Sequence, residues 1–214
     1  NWSFESPQGL VFRFPKSVES AAELEAITPI ILQLTPQLSL PSPHYIHQGI
    51  WRGLPFVGYK KIPGVPLSSS QFKVHPARKD LCQQLGTFLS ELHCFPMEKV
   101  REALPQSVET PWVKECVSIS SRSKEQLFPL LGPKISNRIQ QEFGSFIARL
   151  EANPIEPVFV HGDLEPSHIL YQAPNGPISG IIDYDDGGVG DPAWDIRLLL
   201  HYYGIELTEE ILTH

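Results

Sequence analysis

The chain has 214 residues, of which 41% are hydrophobic, and its 24 acidic and 17 basic residues give a formal net charge of −7. This acidic balance argues against nucleic acid as a partner, and no apolar run approaches the roughly 18 residues of a membrane span. No secretory signal is evident, and the three cysteines show no CxxC spacing; they are Cys82, Cys94 and Cys116. We therefore expect a cytoplasmic protein with reduced thiols.

The first 34 residues predict a strand followed by a helix. Residues 10–14 alternate in the manner of a half-buried strand that ends at Pro15-Lys16. A helical pattern then runs from Ser17, a suitable N-cap, to about Leu34. We expect a kink or a break at Pro29, because proline lacks the N–H that a helix interior needs.

Two further short strands are predicted around residues 45–51 and 55–62. Turn residues concentrate over residues 63–67, and helical periodicity begins soon afterwards. We therefore place a boundary between two lobes at residue 66.

The second part of the chain is predicted to be mainly helical. Its clearest helix runs from about Pro76 to His93, with one apolar stripe formed by Leu81, Leu85, Phe88, Leu89 and Leu92. Residues 136–150 predict a second amphipathic helix, and residues 112–123 a third. Asp191 and Pro192 are expected to cap and open a further helix.

A β-hairpin is predicted between these helices. One apolar run leads to Asp163, a second leads to Asp183, and residues 172–177 between them are rich in turn formers. A turn centred on Asn175-Gly176 would place His168 opposite Asp183. Two carboxylates and an imidazole at one hairpin mouth indicate a metal or phosphate site.

Each of these three residues suits a particular chemistry. Asp163 lies beside Gly162, which lets the backbone bend, and its carboxylate can orient a hydroxyl group and accept its proton. Asp183 follows buried isoleucines and precedes two more aspartates, an arrangement that favours a divalent cation such as Mg²⁺. His168 either ligates the metal or supports the loop by hydrogen bonds, and His161 is expected to brace that loop.

Lys16 is a candidate phosphate-binding residue in the first lobe. A lysine at a strand end can hold phosphate oxygens as a point charge. Either Glu23 or Glu25 on the following helix would fix it in place.

Taken together, these residues resemble the aminoglycoside phosphotransferase and choline kinase-like family, relatives of the protein kinases. The resemblance covers most of the chain and rests on several motifs in order: Val11 to Lys16, Pro55 to Gly64, Leu89 to His93, His161-Gly-Asp-Leu164, and Ile182 to Asp195. His168 stands where the family usually has asparagine, a feature that aminoglycoside kinases acting at the 2″ position share.

The resemblance implies an α+β, two-lobed protein-kinase-like fold. Residues 1–66 would form a small β-rich nucleotide-binding lobe, and residues 67–214 a mainly helical lobe with a catalytic β-hairpin. Segment 55–64 would be the hinge, where Tyr59 and Ile62 would meet the nucleotide. Both ends would fall short of the family's limits.

The resemblance also implies roles for the site residues. Asp163 would be the catalytic base, and Asp183, with His168, would bind Mg²⁺ that bridges the phosphates of ATP or GTP. Lys16 would hold those phosphates and pair with Glu25 or Glu23, because the family's usual position for that acid falls on Ile27.

Three functions follow as alternatives. The first is a kinase that phosphorylates a hydroxyl group of an aminoglycoside or another small molecule, for which the acidic balance favours a cationic acceptor. The second is a nucleotide-binding protein of the same family without catalytic activity. The third is a metal-dependent hydrolase that uses Asp163, His168 and Asp183 as ligands.

Overall fold

The computed structural model describes residues 1–104 and 112–214, which divide into two compact units. The larger unit comprises residues 1–107, 158–188 and 192–214, and the smaller one comprises residues 108–157 and 189–191. The lobe boundary expected at residue 66 stays a prediction. Within the described residues, no helix combines the length and apolar character needed to cross a membrane, and the cytoplasmic location also stays a prediction.

An antiparallel sheet in the order β1-β2-β4-β3 begins the larger unit. Its strands are β1 (Trp2–Glu5), β2 (Leu10–Phe14), β3 (His47–Trp51) and β4 (Leu54–Lys60). Arg13 pairs with Val57 and Val11 with Tyr59 across the β2–β4 ladder, so these four side chains share one face of the sheet. Arg13, Val57 and Tyr59 are all buried.

Helix α1 (Val18–Leu34) connects β2 to the rest of this sheet. Ser17 caps it as predicted, accepting a hydrogen bond from the backbone N–H of Ser20. The helix continues through Pro29, so the break is wrong, and the alternative of a kink stays a prediction. Pro29 is exposed, and so is Glu25, whose carbonyl loses its donor, so water can satisfy that carbonyl. The inward face of α1 is apolar and buried, and it includes Ala21, Leu24, Ile27, Ile30, Ile31 and Leu34.

Several helices follow the sheet: α2 (Ser69–Val74), α3 (Arg78–His93) and α4 (Met97–Ala103). The predicted apolar stripe of α3 is confirmed, because Leu81, Leu85, Phe88, Leu89 and Leu92 are each at most 4% exposed. Gly86 lets α8 (Ile205–Leu212) approach closely, since a Cβ at this position would overlap the carbonyl oxygen of Ile211.

The predicted hairpin is formed by β7 (Ile169–Tyr171) and β8 (Ile178–Ile181), with β5 (Val65–Pro66) along the other edge of β7. The predicted register is wrong by one residue. Ile169 pairs with Ile181, and the N–H of Ile182, not of Asp183, donates to the carbonyl of His168. The cause is the position of the turn, because the N–H of Gln172 donates to the carbonyl of Pro177 and the turn is therefore centred on Pro174-Asn175. An irregularity between Leu170 and Tyr171, with one extra residue in β8, then shifts the register back by one position.

The remaining elements of the larger unit are β6 (Val158–Val160), which precedes the Asp163 loop, and α7 (Ala193–Tyr203). Pro192 occupies the N-cap position of α7, one residue later than predicted, and its carbonyl accepts from the N–H of Asp195. Strand β9 (Gly188–Gly190) lies between β8 and α7 in the sequence.

The smaller unit contains α5 (Trp112–Gln126) and α6 (Pro133–Ala152), which contact each other. Both predicted helices are therefore confirmed, with α6 extending beyond the expected ends. The apolar face predicted for α6 is only partly covered, since Phe146 is 39% exposed.

Candidate functional site

Asp163 lies in a tight loop that follows β6. The loop turns at Gly162, whose φ of +83° is accessible mainly to glycine. A Cβ on Gly162 would also overlap the backbone carbonyl of Asp186, so the two polar segments of the site approach closely here. The carboxylate of Asp163 is left partly open, with 37% of its side chain exposed.

The carboxylate of Asp195 fixes the backbone of this loop. Its side chain is fully buried and accepts hydrogen bonds from the N–H groups of His161, at 3.1 Å, and Gly162, at 2.9 Å. His93, at the end of α3, places Nε2 2.9 Å from the same carboxylate. An aspartate on α7 and a histidine on α3 thereby set the position of Asp163 without contacting it.

His161 braces the loop from the other side, as predicted. Its Nδ1 accepts from the N–H of Asp163 at 3.3 Å, and its Nε2 donates to the carbonyl of Ile182 at 3.0 Å. Complete burial lowers the pKa of His161, although nearby Asp195 opposes this effect. A neutral imidazole therefore connects the residue that carries Asp163 to the residue before Asp183.

His168 lies between the two predicted carboxylates. Its Nδ1 is 2.7 Å from the backbone carbonyl of Asp163 and 3.5 Å from Asp163 Oδ2, and its Nε2 is 3.7 Å from Asp183 Oδ2. The three predicted residues are thus brought together, even though His168 is not directly opposite Asp183 in the ladder.

The hydrogen bond of His168 Nδ1 determines what Nε2 can do. A carbonyl oxygen only accepts, so Nδ1 carries a proton. In the neutral ring Nε2 then presents a lone pair toward a carboxylate oxygen, and two acceptors face each other. A divalent cation between them, or a second proton on the imidazole, resolves this conflict, so these side chains fit a metal ion.

Arg13 faces the other oxygen of Asp183. Both of its terminal nitrogens lie 3.0 Å from Asp183 Oδ1, and Nη2 also forms a short ion pair with Asp185. Asp183 adopts a φ of +69°, which is uncommon for a residue with a side chain and costs free energy unless surrounding contacts hold it. Asp183 therefore lies between a guanidinium and an imidazole.

The local environment shifts the three carboxyl groups in different directions. Burial raises the pKa of Asp163, while His168 partly offsets this shift. Burial also raises the pKa of Asp183, but the charges of Arg13 and His168 outweigh it and the net pKa is lowered. For Asp185, burial prevails over the attraction of Arg13, and the pKa is raised.

The predicted nucleotide-binding residues lie at several places in the larger unit. Lys16 is exposed two residues beyond β2, with Nζ 4.8 Å from the centroid of the Trp2 ring. Glu25 and Glu23 are exposed on α1, and neither forms an ion pair with Lys16 within the part of the chain that the structure describes. Their roles stay predictions.

The predicted hinge contributes Tyr59 and Ile62. Tyr59 is buried on the Arg13 face of the sheet, where its ring lies 6.0 Å from that of Tyr45. Ile62 follows β4 and packs against the hairpin, since a Cβ on Gly180 would come 2.7 Å from Ile62 Cγ2. Their predicted contact with a nucleotide also stays a prediction.

Glu165 is an acidic residue of the site that the sequence did not single out. Its carboxylate accepts from the hydroxyl of Tyr202 at 3.0 Å and from that of Ser167, and the Ser167 hydrogen bond is the main cause of its lowered pKa. Potential ligand atoms of Asp163, Glu165 and His168 lie within 4.8 Å of one another. Glu165 therefore places a second carboxylate close to that of Asp163.

Arg13 is the main functional residue that the sequence reasoning overlooked. The alternation of β2 could have indicated its importance, because Leu10, Phe12 and Phe14 lie on one face of the strand and Val11 and Arg13 on the other. An arginine on the face that packs against an apolar helix needs a carboxylate partner. Lys16, by contrast, lies outside the strand.

A family model described as "Phosphotransferase enzyme family" matches residues 1–213 of the chain. Viomycin phosphotransferase from Streptomyces vinaceus is 32% identical over 162 residues, a match that covers 74% of this chain and 54% of the relative. The chain thus spans about half the length of that protein. An uncharacterized protein of Bacillus subtilis, YcbJ, is 24% identical over 95% of this chain and 66% of its own.

Solved structures with the same fold include a GDP complex of aminoglycoside 2'-phosphotransferase-IIIa. It is 31% identical, with a TM-score of 0.87, and the match covers all of this chain and 72% of that one. A macrolide 2'-phosphotransferase from Brachybacterium faecium is 20% identical, with a TM-score of 0.70 over 99% of this chain and 70% of that one, which shows the fold alone. The predicted α+β, protein-kinase-like fold class is confirmed.

Proposed function

Since the chain belongs to the phosphotransferase enzyme family, we propose that it transfers the terminal phosphoryl group of a nucleoside triphosphate to a hydroxyl group of a small molecule. The observation that carries this proposal is a continuous series of side-chain contacts from Asp163 through His168 and Asp183 to Arg13. It joins a candidate base to groups suited to a cation and to phosphate oxygens. Phosphoryl transfer depends mostly on such positioning and charge neutralisation.

Asp163 acts on the acceptor in this proposal. The acceptor oxygen bonds to the terminal phosphorus, the bond from that phosphorus to the bridging oxygen breaks, and the nucleoside diphosphate leaves. The hydroxyl proton passes to the carboxylate of Asp163, whose burial-raised pKa makes it a better proton acceptor than an exposed aspartate. The 37% exposure of its side chain leaves room for the acceptor.

Asp183 and His168 would hold a divalent cation, for which we propose Mg²⁺. The donors are Asp183 Oδ2 and the Nε2 lone pair of His168, 3.7 Å apart. A cation at this position supplies positive charge that neutralises the nucleotide phosphates. An imidazole ligand is unusual for Mg²⁺, so Mn²⁺ should also support activity.

Arg13 would bind the phosphates in the role predicted for Lys16. Its terminal nitrogens donate to Asp183 and Asp185, whereas its buried Nε has no hydrogen-bond partner among the described residues and can donate to a phosphate oxygen. ATP and GTP both remain candidate donors, because structurally similar phosphotransferases form complexes with GDP in one case and with ATP in another.

The proposed acceptor is a small molecule that carries amino groups. Viomycin, kanamycin and gentamicin are the compounds associated with similar proteins, and this chain has a net charge of −7. Glu165, held in place by Tyr202 beside Asp163, would attract a protonated amine.

The test is a nucleotide-depletion assay with Mg²⁺ or Mn²⁺ and a panel of acceptors that includes aminoglycosides, viomycin and neutral sugars. We expect Asp163→Asn to lower kcat by roughly 10²- to 10⁴-fold, as for loss of a general base. Asp186→Asn, which changes an exposed aspartate nearby, is the matched control and should retain activity.

Turnover that survives Asp163→Asn would refute the role of this residue. Hydrolysis of substrates without nucleotide, supported by a transition metal, would instead favour the metal-dependent hydrolase. Nucleotide binding with no transfer to any acceptor would indicate a binding protein of the same family.

A further inference from the structure

The guanidinium of Arg13 is held by two carboxylates that follow β8. Its side chain is only 7% exposed and contacts Asp183 Oδ1 at 3.0 Å, and it forms a shorter ion pair with Asp185 Oδ2. A buried cation is costly unless charged groups of opposite sign surround it. Both of these aspartates therefore compensate the buried charge of Arg13 and orient its guanidinium.

Helix α1, which packs against the same face of the sheet, provides no carboxylate for Arg13. Its buried residues are apolar apart from Thr28, whose hydroxyl donates to the carbonyl of Leu24. Glu19, Glu23 and Glu25 all lie on its exposed side. Among the described residues, the ion-pair partners of Arg13 are Asp183 and Asp185.

The two aspartates divide their contacts differently. Asp183 uses Oδ1 for Arg13 and directs Oδ2 toward His168. Asp185 directs Oδ2 to Arg13, and its side chain is 22% exposed, less than the 35% of Asp183. Without Asp185, the whole guanidinium would depend on the carboxylate that also faces His168.

We propose that Asp185 is a positioning residue that holds the Arg13 guanidinium beside Asp183 and leaves Asp183 Oδ2 directed toward His168. Asp185 thereby sets the affinity for the nucleotide phosphates without contacting them. The inference rests on the proposed function insofar as Arg13 binds a nucleotide. The immobilisation of Arg13 by Asp185 is independent of any nucleotide.

The test is a double-mutant cycle on the full chain with Arg13→Gln, Asp185→Asn and the double variant. The dissociation constant for ADP with Mg²⁺ is measured by calorimetry without an acceptor, and GDP replaces ADP throughout if the wild type binds GDP more tightly. Loss of a charge-assisted contact predicts weakening by roughly 10- to 100-fold for each single variant. The double variant should bind no more weakly than the weaker single variant, because Asp185 acts through Arg13.

Nitrogen NMR of the Arg13 side chain provides a readout that needs no nucleotide. We expect slow rotation of the guanidinium in the wild type and faster rotation in Asp185→Asn, with Asp186→Asn as the matched control. If Asp185→Asn does not fold, Asp185→Glu keeps the charge but moves it by one methylene. That variant should weaken ADP binding by about 3- to 10-fold at unchanged melting temperature.

Losses that add in the double variant, or equal effects of Asp185→Asn and Asp186→Asn, would overturn the inference. If adding Asp185→Asn to the Arg13→Gln variant changes the Mg²⁺ concentration needed for binding, Asp185 is a metal ligand and the inference is overturned. Coupled ADP binding without phosphoryl transfer would sink the proposed function but not this inference. Wild-type protein that binds neither ADP nor GDP, together with a freely rotating Arg13, would overturn both.

Discussion

Replacing Asp195 should destabilise the protein strongly, although this residue does not contact the proposed reacting groups. Its fully buried carboxylate accepts from two backbone N–H groups, at 3.1 and 2.9 Å, and lies 2.9 Å from His93 Nε2. Asp195→Ala would leave the two buried N–H groups without this acceptor, and it would remove the contact of His93, whose side chain is 16% exposed.

The magnitude follows from these three hydrogen bonds. A buried donor left unsatisfied costs about 1–3 kcal/mol, and the acceptor that Asp195→Ala removes is charged. We therefore expect Asp195→Ala to lower the free energy of unfolding by about 3–6 kcal/mol. For a protein of this size, this corresponds to a fall in Tm of roughly 10 to 20 °C. Asp195→Asn keeps one carbonyl oxygen and should cost about 2–4 kcal/mol, because its amide donors face other donors.

Urea denaturation and thermal melting followed by far-UV circular dichroism measure these losses, with Asp186→Asn as the exposed control. The residual folded protein should also show a lower kcat, since Asp195 orients the loop that carries Asp163. A loss below about 1 kcal/mol for Asp195→Ala would refute the reasoning, because it would mean that the loop N–H groups find other partners.

Three further predictions concern the same unit. Gly162→Ala should cost about 3 kcal/mol or more by urea denaturation, since φ is +83° and the new Cβ overlaps a backbone carbonyl, and a cost below about 1 kcal/mol would contradict this close packing of the loop. Gly86→Ala should destabilise by about 1–3 kcal/mol through the α3–α8 contact, and unchanged Tm would refute that close approach. Burial lowers the pKa of His161 in the folded state. The contribution of His161 to the free energy of unfolding is therefore complete above the unfolded pKa of about 6.5, and it is lost as pH falls through the folded pKa. His161→Gln should therefore show a shallower loss of stability between pH 6.5 and 5, and an equal slope would show that His161 does not titrate on unfolding.

Features that depend on local patterns were predictable from the sequence. The stripe of α3 follows from helical spacing, and the capping of α1 by Ser17 follows from side-chain chemistry. The meeting of Asp163, His168 and Asp183 also followed, because a hairpin brings the ends of its two strands together.

Features that depend on distant segments were not predictable in the same way. The hairpin register differs from the predicted one because the turn is centred one residue earlier and an extra residue in β8 compensates for only part of that shift, and composition reveals neither feature. The role of Asp195 depends on a helix that lies more than thirty positions from the loop it holds.

The charges around Asp183 illustrate this division. The sequence determined that several carboxylates follow one buried strand, and such a group requires positive charge nearby. Only the tertiary structure decided that this charge is Arg13, which lies 170 positions earlier in the chain, while Lys16 lies over Trp2. The physical reason is that the pleat of β2 directs Arg13 to the buried face, and only the folding of the chain places the segment after β8 beside it, which brings Asp183 and Asp185 to Arg13.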